Sequence, residues 1–149
     1  MSSKALIIKN KKAHFEYHVD FEVTAGLQLK GTEVKSIREH NVNINDAYCL
    51  VEAEELWIKN MHIGPFKQAS FNQHEPLRSR KLLITKRELR KIHSKVKEKG
   101  TAIFPIQLFE SERGLIKLKI GIGKGKKSYD KRNDLKTKDI QRELSKIGL

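Results

Sequence analysis

The chain has little of what catalysis, secretion or membrane insertion would require. A single cysteine, Cys49, stands among 149 residues. It excludes an internal disulfide and suits a reducing cytoplasm. Between Tyr48 and Leu50 it reads as a small strand residue, not a nucleophile. No apolar run reaches the roughly 18 residues of a membrane-spanning helix. The run Ala5-Leu6-Ile7-Ile8 is too brief for a signal peptide. There is no lipidation signal and no Trp/Phe-rich amphipathic face, so no membrane partner is expected. Aromatic residues are only 7% of the chain, which argues against sequence-free single-strand binding by base stacking. Gly-x-Ser-x-Gly, P-loop and Gly-x-Gly-x-x-Gly motifs are missing. The run Gly121-Ile122-Gly123-Lys124-Gly125-Lys126 lacks both the P-loop spacing and the Ser/Thr that would hold magnesium. The histidines, His14, His18, His40, His62, His74 and His93, form no metal spacing with cysteines or carboxylates. The acids are dispersed, with no pair set for acid–base work. No cofactor, no metal and no catalytic residue is therefore expected.

Positive charge is what the chain has in excess. Lysine and arginine number 31 against 18 acids, a formal net charge of +13. The excess is clustered. Residues 78–99 hold ten basic side chains against Glu88 and Glu98, and residues 117–138 hold nine against Asp130 and Asp134. Clustered charge of this size implies a polyanionic partner and raises the rate of encounter with it.

Periodicity places these charges on a β framework. From Glu16 to Val23 the alternation is strict, with Tyr17, Val19, Phe21 and Val23 on one face. Ala25-Gly26 permits a bend or bulge, after which Leu27 and Leu29 continue the inward face. Gly31-Thr32-Glu33 opens a short helix with Thr32 as its cap and Val34 and Ile37 inward. Tyr48 to Val51 and Leu56 to Ile58 form a hairpin around Glu52-Ala53-Glu54-Glu55. A polar loop with Gly64-Pro65 and Pro76 follows. Thr85-Lys86-Arg87-Glu88 is a capping box for a helix with Leu89, Ile92 and Val96 inward, closed by Gly100. Thr101 to Phe109 is a strand whose Pro105 requires an edge or a bulge. In the next strand Ile116, Leu118, Ile120 and Ile122 point in, and Lys117 and Lys119 point out. Short sequential strands with few helices predict a mainly β protein, a small barrel with flanking helices, as one domain. Residues 1–13 read as a basic arm, 14–123 as the barrel and 124–149 as a basic tail. The tail has Ile140, Leu144 and Ile147 on one helical face, too few to hold a helix alone. It is expected to be disordered until docked.

Lys117 and Lys119 lie roughly 6–7 Å apart along one strand face, comparable with successive phosphates. Tyr17, Phe21, Tyr48, Trp57 and Phe104 are mostly core by pattern. His14, Phe15, Tyr129 and His74 are better placed to meet a base. Recognition of a folded RNA by shape and phosphate contact fits this composition best. A generic ribosomal or structured-RNA-binding barrel protein fits the charge as well. An RNA-processing enzyme is the remaining class, and no carboxylate or histidine cluster supports it.

Seven words in order strengthen the RNA reading: Asn10-Lys11-Lys12-Ala13, Ala25-Gly26-Leu27, Gly31-Thr32-Glu33-Val34-Lys35-Ser36-Ile37-Arg38, Asn43-Ile44-Asn45-Asp46-Ala47-Tyr48, Arg78-Ser79-Arg80-Lys81-Leu82-Leu83, Lys119-Ile120-Gly121, and Gly123-Lys124-Gly125-Lys126-Lys127-Ser128-Tyr129-Asp130-Lys131-Arg132. Together they resemble the tmRNA-binding small protein B family. The resemblance implies an oligonucleotide-binding-type β-barrel that is not an enzyme. Such a protein binds the tRNA-like domain of tmRNA and delivers it to stalled ribosomes for trans-translation. Its partners would be that RNA and the decoding centre of the small ribosomal subunit, including its rRNA. Elongation factor Tu and alanyl-tRNA synthetase would be met indirectly, through tmRNA. A cytoplasmic, ribosome-associated monomer is expected.

RNA contacts are expected at Lys11, Lys12, His14, Glu33, Lys35, Arg38, Arg78, Arg80, Lys81, Leu83, Lys117, Lys119 and Lys124, of which the resemblance itself implies Leu83 and Lys117. It implies decoding-centre contacts at Lys126, Lys127, Tyr129, Asp130, Lys131, Arg132, Lys136 and Lys138. Thr24 stands where the family carries a contacting glutamate, leaving that role lost or supplied by Glu22. Leu83 is open to two readings, core side chain or RNA contact. A core role would make Leu83→Ala cost about 2–4 kcal/mol.

Overall fold

The structure, a computed structural model, describes residues 6–68 and 73–126. Its elements are β1 (Ile7–Lys9), α1 (Ala13–Glu16), β2 (Tyr17–Leu27), α2 (Gly31–Arg38), β3 (Val42–Asn43), β4 (Tyr48–Glu52), β5 (Glu55–Lys59), β6 (His62–Ile63), β7 (Arg80–Leu83), α3 (Lys86–Val96), β8 (Thr101–Glu110) and β9 (Ile116–Gly125). Seven strands pair in the order β1-β8-β4-β5-β7-β2-β9, and β8 also pairs with β9. That last ladder closes β8, β4, β5, β7, β2 and β9 into a barrel. Because β9 follows β8 along its whole length, β1 and β4 must share the other edge of β8. β3 and β6 form a separate two-residue ladder.

Alternation builds the core. Val23, Ala25, Leu56, Ile58, Leu82, Leu118, Ile120 and Ile122 are buried inside, and α3 lays Ile92 among them. The long barrel strands β2, β8 and β9, of 11, 10 and 10 residues, are not all half-exposed. Along β8, Ile103 joins the main core, whereas Phe104 and Ile106 turn outward under Ala13 of α1 and the stacked ring of Tyr17, 4.2 Å from Phe104. This small second cluster explains why residues 103–106 are buried on both faces.

Several expectations meet corrections here. Residues 7–9 are not part of a free arm: they pair with Gln107 to Phe109, and Leu6, Asn10 and Ala13 are buried. Glu16 ends a helical turn, so the first barrel strand begins at Tyr17. The register of β2 shifts at Asp20, between Val19 and Phe21, not at Ala25-Gly26, which continue the ladder. Pro105 does mark a bulge, between itself and Gln107, in a strand paired on both sides. Helix α2 starts where expected, but Thr32 does not cap it; the Thr32 hydroxyl meets His74 Nδ1 at 2.8 Å. Thr85 caps α3 as its motif requires, its Oγ1 accepting from the Glu88 amide at 3.1 Å while a Glu88 carboxylate oxygen accepts from the Thr85 amide at 3.0 Å. Lys124 and Gly125 belong to β9, so the barrel runs past residue 123. Tyr48 is exposed, unlike the half-buried Tyr17, Phe21 and Trp57 and the buried Phe104.

Candidate nucleic-acid interface

Three strands present one row of residues to the outside. Gly26 of β2 faces Leu83 of β7 on one side and Lys117 of β9 on the other. Partners in register point to the same face of a sheet, and adjacent strands are about 4.8 Å apart. Leu83 and Lys117 therefore stand roughly 10 Å apart on the outer surface with a bare glycine between them. A Cβ at Gly26 would come within 3.3 Å of Leu83 Cβ, so the missing side chain is what keeps this floor open. Over the row lies a groove of about 620 Å³, walled by Lys81, Leu83 and Ile84, by Thr85 and Lys86 at the start of α3, and by Glu54 and Glu55 of the β4–β5 hairpin. An apolar pocket of about 380 Å³ adjoins it, sharing Gly26, Leu83 and Lys117 and extending over Leu27, Leu29, Val34 and Leu115.

Leu83 is 50% exposed, which settles its two readings on the side of the surface. Its neighbour Leu82 takes the core position, facing Leu27 and Leu56. Leu83→Ala should therefore change stability by less than about 1 kcal/mol, measured as an unchanged melting midpoint. A loss near the core value would return Leu83 to the interior.

The outward lysines of β7 and β9 differ in how they are held. Lys117 makes no ion pair among the described residues. Lys81 meets Glu55 at 3.2 Å, Lys119 meets Glu22 at 3.8 Å, and Lys124 meets Glu98 at 3.9 Å. Exposed pairs of this kind are worth about 0–1 kcal/mol, so these lysines are readily given up to a phosphate. Thr24 faces Lys119 across the ladder, and Glu22 lies one outer position further along.

The expected contacts do not form one patch. Gly26 and Lys117 sit at one end of β2, and Tyr17 faces Gly125 at the other, about 30 Å of strand away. At that far end Lys124 faces His18, and Lys126 Nζ donates to the exposed His14 carbonyl at 2.6 Å. Lys11 is exposed, and Lys12 is paired with Asp46 at 3.1 Å. Lys35 lies over the Phe66 ring at 5.4 Å. Arg38 meets Glu110 at 3.2 Å and the Gly114 carbonyl at 3.3 Å. Lys127, Tyr129, Asp130, Lys131, Arg132, Lys136 and Lys138 lie outside the described residues, as does the amphipathic stretch from Ile140.

Two expected contacts are removed from the surface altogether. Glu33 and Arg80 are both fully buried. Glu33 Oε2 accepts from Arg80 Nε at 2.5 Å, and its Oε1 accepts from Arg78 Nη2 at 2.5 Å and from the Lys30 amide at 2.8 Å. Arg80 also donates to the carbonyls of Met61 and Pro76. Burial pushes the Glu33 carboxyl up, but the bonds from Arg78, the Lys30 amide and Arg80 outweigh it and hold it below the usual carboxylate range. The cluster pins α2 to β7 and leaves only Arg78 half exposed. His74, expected near a base, is buried, with Nδ1 at 2.8 Å from the Thr32 hydroxyl and Nε2 at 2.9 Å from the Ile63 carbonyl. Burial also pushes the Cys49 thiol far up, so it stays protonated. Among the described residues no group of three or more His, Cys, Asp or Glu could hold a metal, and no helix is long and apolar enough to cross a membrane.

Comparison with known proteins matches this geometry to relatives. The family model described as SmpB protein covers residues 7–148. An SsrA-binding protein of Cytophaga hutchinsonii is 50% identical over the full length of both chains. One from Anaplasma marginale is 49% identical over 96% of each, and one from Phocaeicola vulgatus is 46% identical over 99% of this chain and 98% of its own. A chain of the solved structure described as "tmRNA-SmpB: a journey to the center of the bacterial ribosome" superposes with a TM-score of 0.70 at 37% identity, over 83% of this chain and 87% of that one. The chain belongs to the SmpB protein family.

Proposed function

We propose that this protein binds the tRNA-like domain of tmRNA and delivers it to stalled ribosomes for trans-translation. The Leu83–Gly26–Lys117 row carries the reading: an exposed apolar side chain and a cation with no ion pair among the described residues flank a bare strip of backbone in a basic barrel. Such a surface suits RNA recognised by shape, with one apolar contact and a few phosphates. Relatives named SsrA-binding protein and the structural relative named for tmRNA and the ribosome support the partner. The role is binding and delivery, in the cytoplasm where ribosomes work. The decoding centre is met through the segment from Lys126 onward. Elongation factor Tu and alanyl-tRNA synthetase join through tmRNA.

The test is binding to the tRNA-like domain of tmRNA against an ordinary elongator tRNA over a salt series. Preference for the former at physiological salt is expected; equal and steeply salt-dependent binding to both would leave only a generic basic barrel. Within the same assay, Lys117→Ala should weaken binding and lower the salt slope by about one unit. Leu83→Ala should weaken it without changing the slope, because an apolar contact releases no counterion.

A further inference from the structure

Ala53 and Glu54 form the two-residue connection between β4 and β5, with φ of 48° and 62°. Both angles lie in the left-handed region, where turns of this kind favour Asn-Gly or Gly-Gly. Glutamate is a poor choice for that backbone, and what it adds is a carboxylate. Its acidic neighbours are engaged: Glu52 with Lys59 at 3.7 Å and Glu55 with Lys81 at 3.2 Å. Glu54 forms no hydrogen bond or ion pair among the described residues. It lines the groove above Leu83 and Lys117, and it also lines a second groove of about 460 Å³ beside Lys86, Arg90 and His93 of α3. An unpaired negative charge thus stands on the wall between two grooves, the first holding Lys81, Lys86 and Lys117 against Glu55 and Glu88, the second Lys86 and Arg90.

We propose that Glu54 is a specificity-determining residue. It repels phosphate at the hairpin tip and keeps RNA on the Leu83–Lys117 side, so that a continuous duplex cannot run on across α3. A regular duplex carries one charge per about 1.7 Å of axis and has no gap to offer the carboxylate. A folded RNA presenting one short phosphate run can turn away from it. The inference rests on the proposed RNA reading of the groove.

The experiment uses the full chain with Glu54→Gln, which keeps the side chain's size and the left-handed backbone while removing the charge. Two probes are compared over a salt series: the tRNA-like domain of tmRNA and a continuous RNA duplex of equal length. A melting curve first establishes that the variant folds as the parent does. Duplex affinity should rise about fivefold, the factor for one pair of unit charges in contact in water. Affinity for the tRNA-like domain should change less than about twofold, so selectivity falls by roughly the same factor as the duplex gains. Glu54→Lys should enlarge the effect. Equal gains on both RNAs, no change on either, or a loss on the tRNA-like domain without a duplex gain would each overturn the role. A parent protein that prefers neither probe would sink the RNA reading itself. A parent preference that the variant retains would sink only the role of Glu54.

Discussion

Glu33→Gln is expected to lower stability by about 3–5 kcal/mol, the range for removing one partner of a buried ion pair. At about 2–4 °C per kcal/mol for a chain of this size, the melting midpoint should fall by roughly 10 °C. The reason is what remains behind. Arg80 is fully buried, and without the carboxylate its guanidinium keeps only neutral oxygens as partners, backbone carbonyls and at best the one amide oxygen of the glutamine. Glutamine retains the shape of Glu33, so the loss is electrostatic and not a cavity. The effect depends on pH in a defined direction. The Glu33 carboxyl titrates lower in the folded protein than in the unfolded chain. Its contribution is therefore complete above the ordinary carboxylate range and is lost as pH falls through the depressed folded value. Urea unfolding at neutral pH and in acid should show the gap between parent and variant closing only on the acid side. A gap that stayed constant into acid would mean that the lost stability came from packing. Because Glu33 does not reach the surface, the folded variant should bind RNA with an unchanged salt slope, unlike Lys117→Ala.

Gly123→Ala is expected to cost more still, about 4 kcal/mol or beyond, as a substitution that needs backbone movement. A Cβ at this position would lie 1.7 Å from the His18 carbonyl oxygen and 3.1 Å from the Asp20 amide. Those are main-chain atoms of the bulge in β2, and no rotamer can relieve the overlap. The β2–β9 ladder would have to open between Val19 and Phe21. Gly31→Ala is the control: its new Cβ meets nothing within 4 Å at the first turn of α2. Thermal melts of the two variants should differ by about 10 °C or more. Near-equal midpoints would show that the bulge can widen at little cost.

How much of this was legible in the sequence follows from how far each signal reaches. Tyr17 to Val23 announce their strand because period-two burial is visible within a few residues. Thr85 and Glu88 announce a helix start because a capping box spans three positions. Both lie where expected. Glu33 gave no such sign. Its burial depends on Arg78 and Arg80, 45 and 47 residues further on, and beside Val34 and Lys35 it looks like any surface acid. Leu82 and Leu83 are equivalent by composition, and only the register Leu82↔Leu27 decides which one faces the groove. Gly26 read as a bend because glycine often makes one; here it is the floor between two strands that sequence order keeps far apart. His74 misled for the opposite reason. An isolated histidine in a polar loop looks available, and two long-range hydrogen bonds have used it.

The β2–β9 ladder also has a consequence in time. β2 finds its long partner only in β9, and β1 finds its partner only in β8. About ninety residues of synthesis separate β2 from β9, roughly 5–20 s at about 5–20 residues per second. Throughout that interval most of β2 stays a half-apolar edge without its partner, since β7, once made, pairs only with Gly26 and Leu27. Contacts this distant in sequence also make closure itself slow. A copy cut short before Ile116 is not a smaller barrel but an open sheet with two long sticky borders, the kind of product that aggregates unless it is held or destroyed.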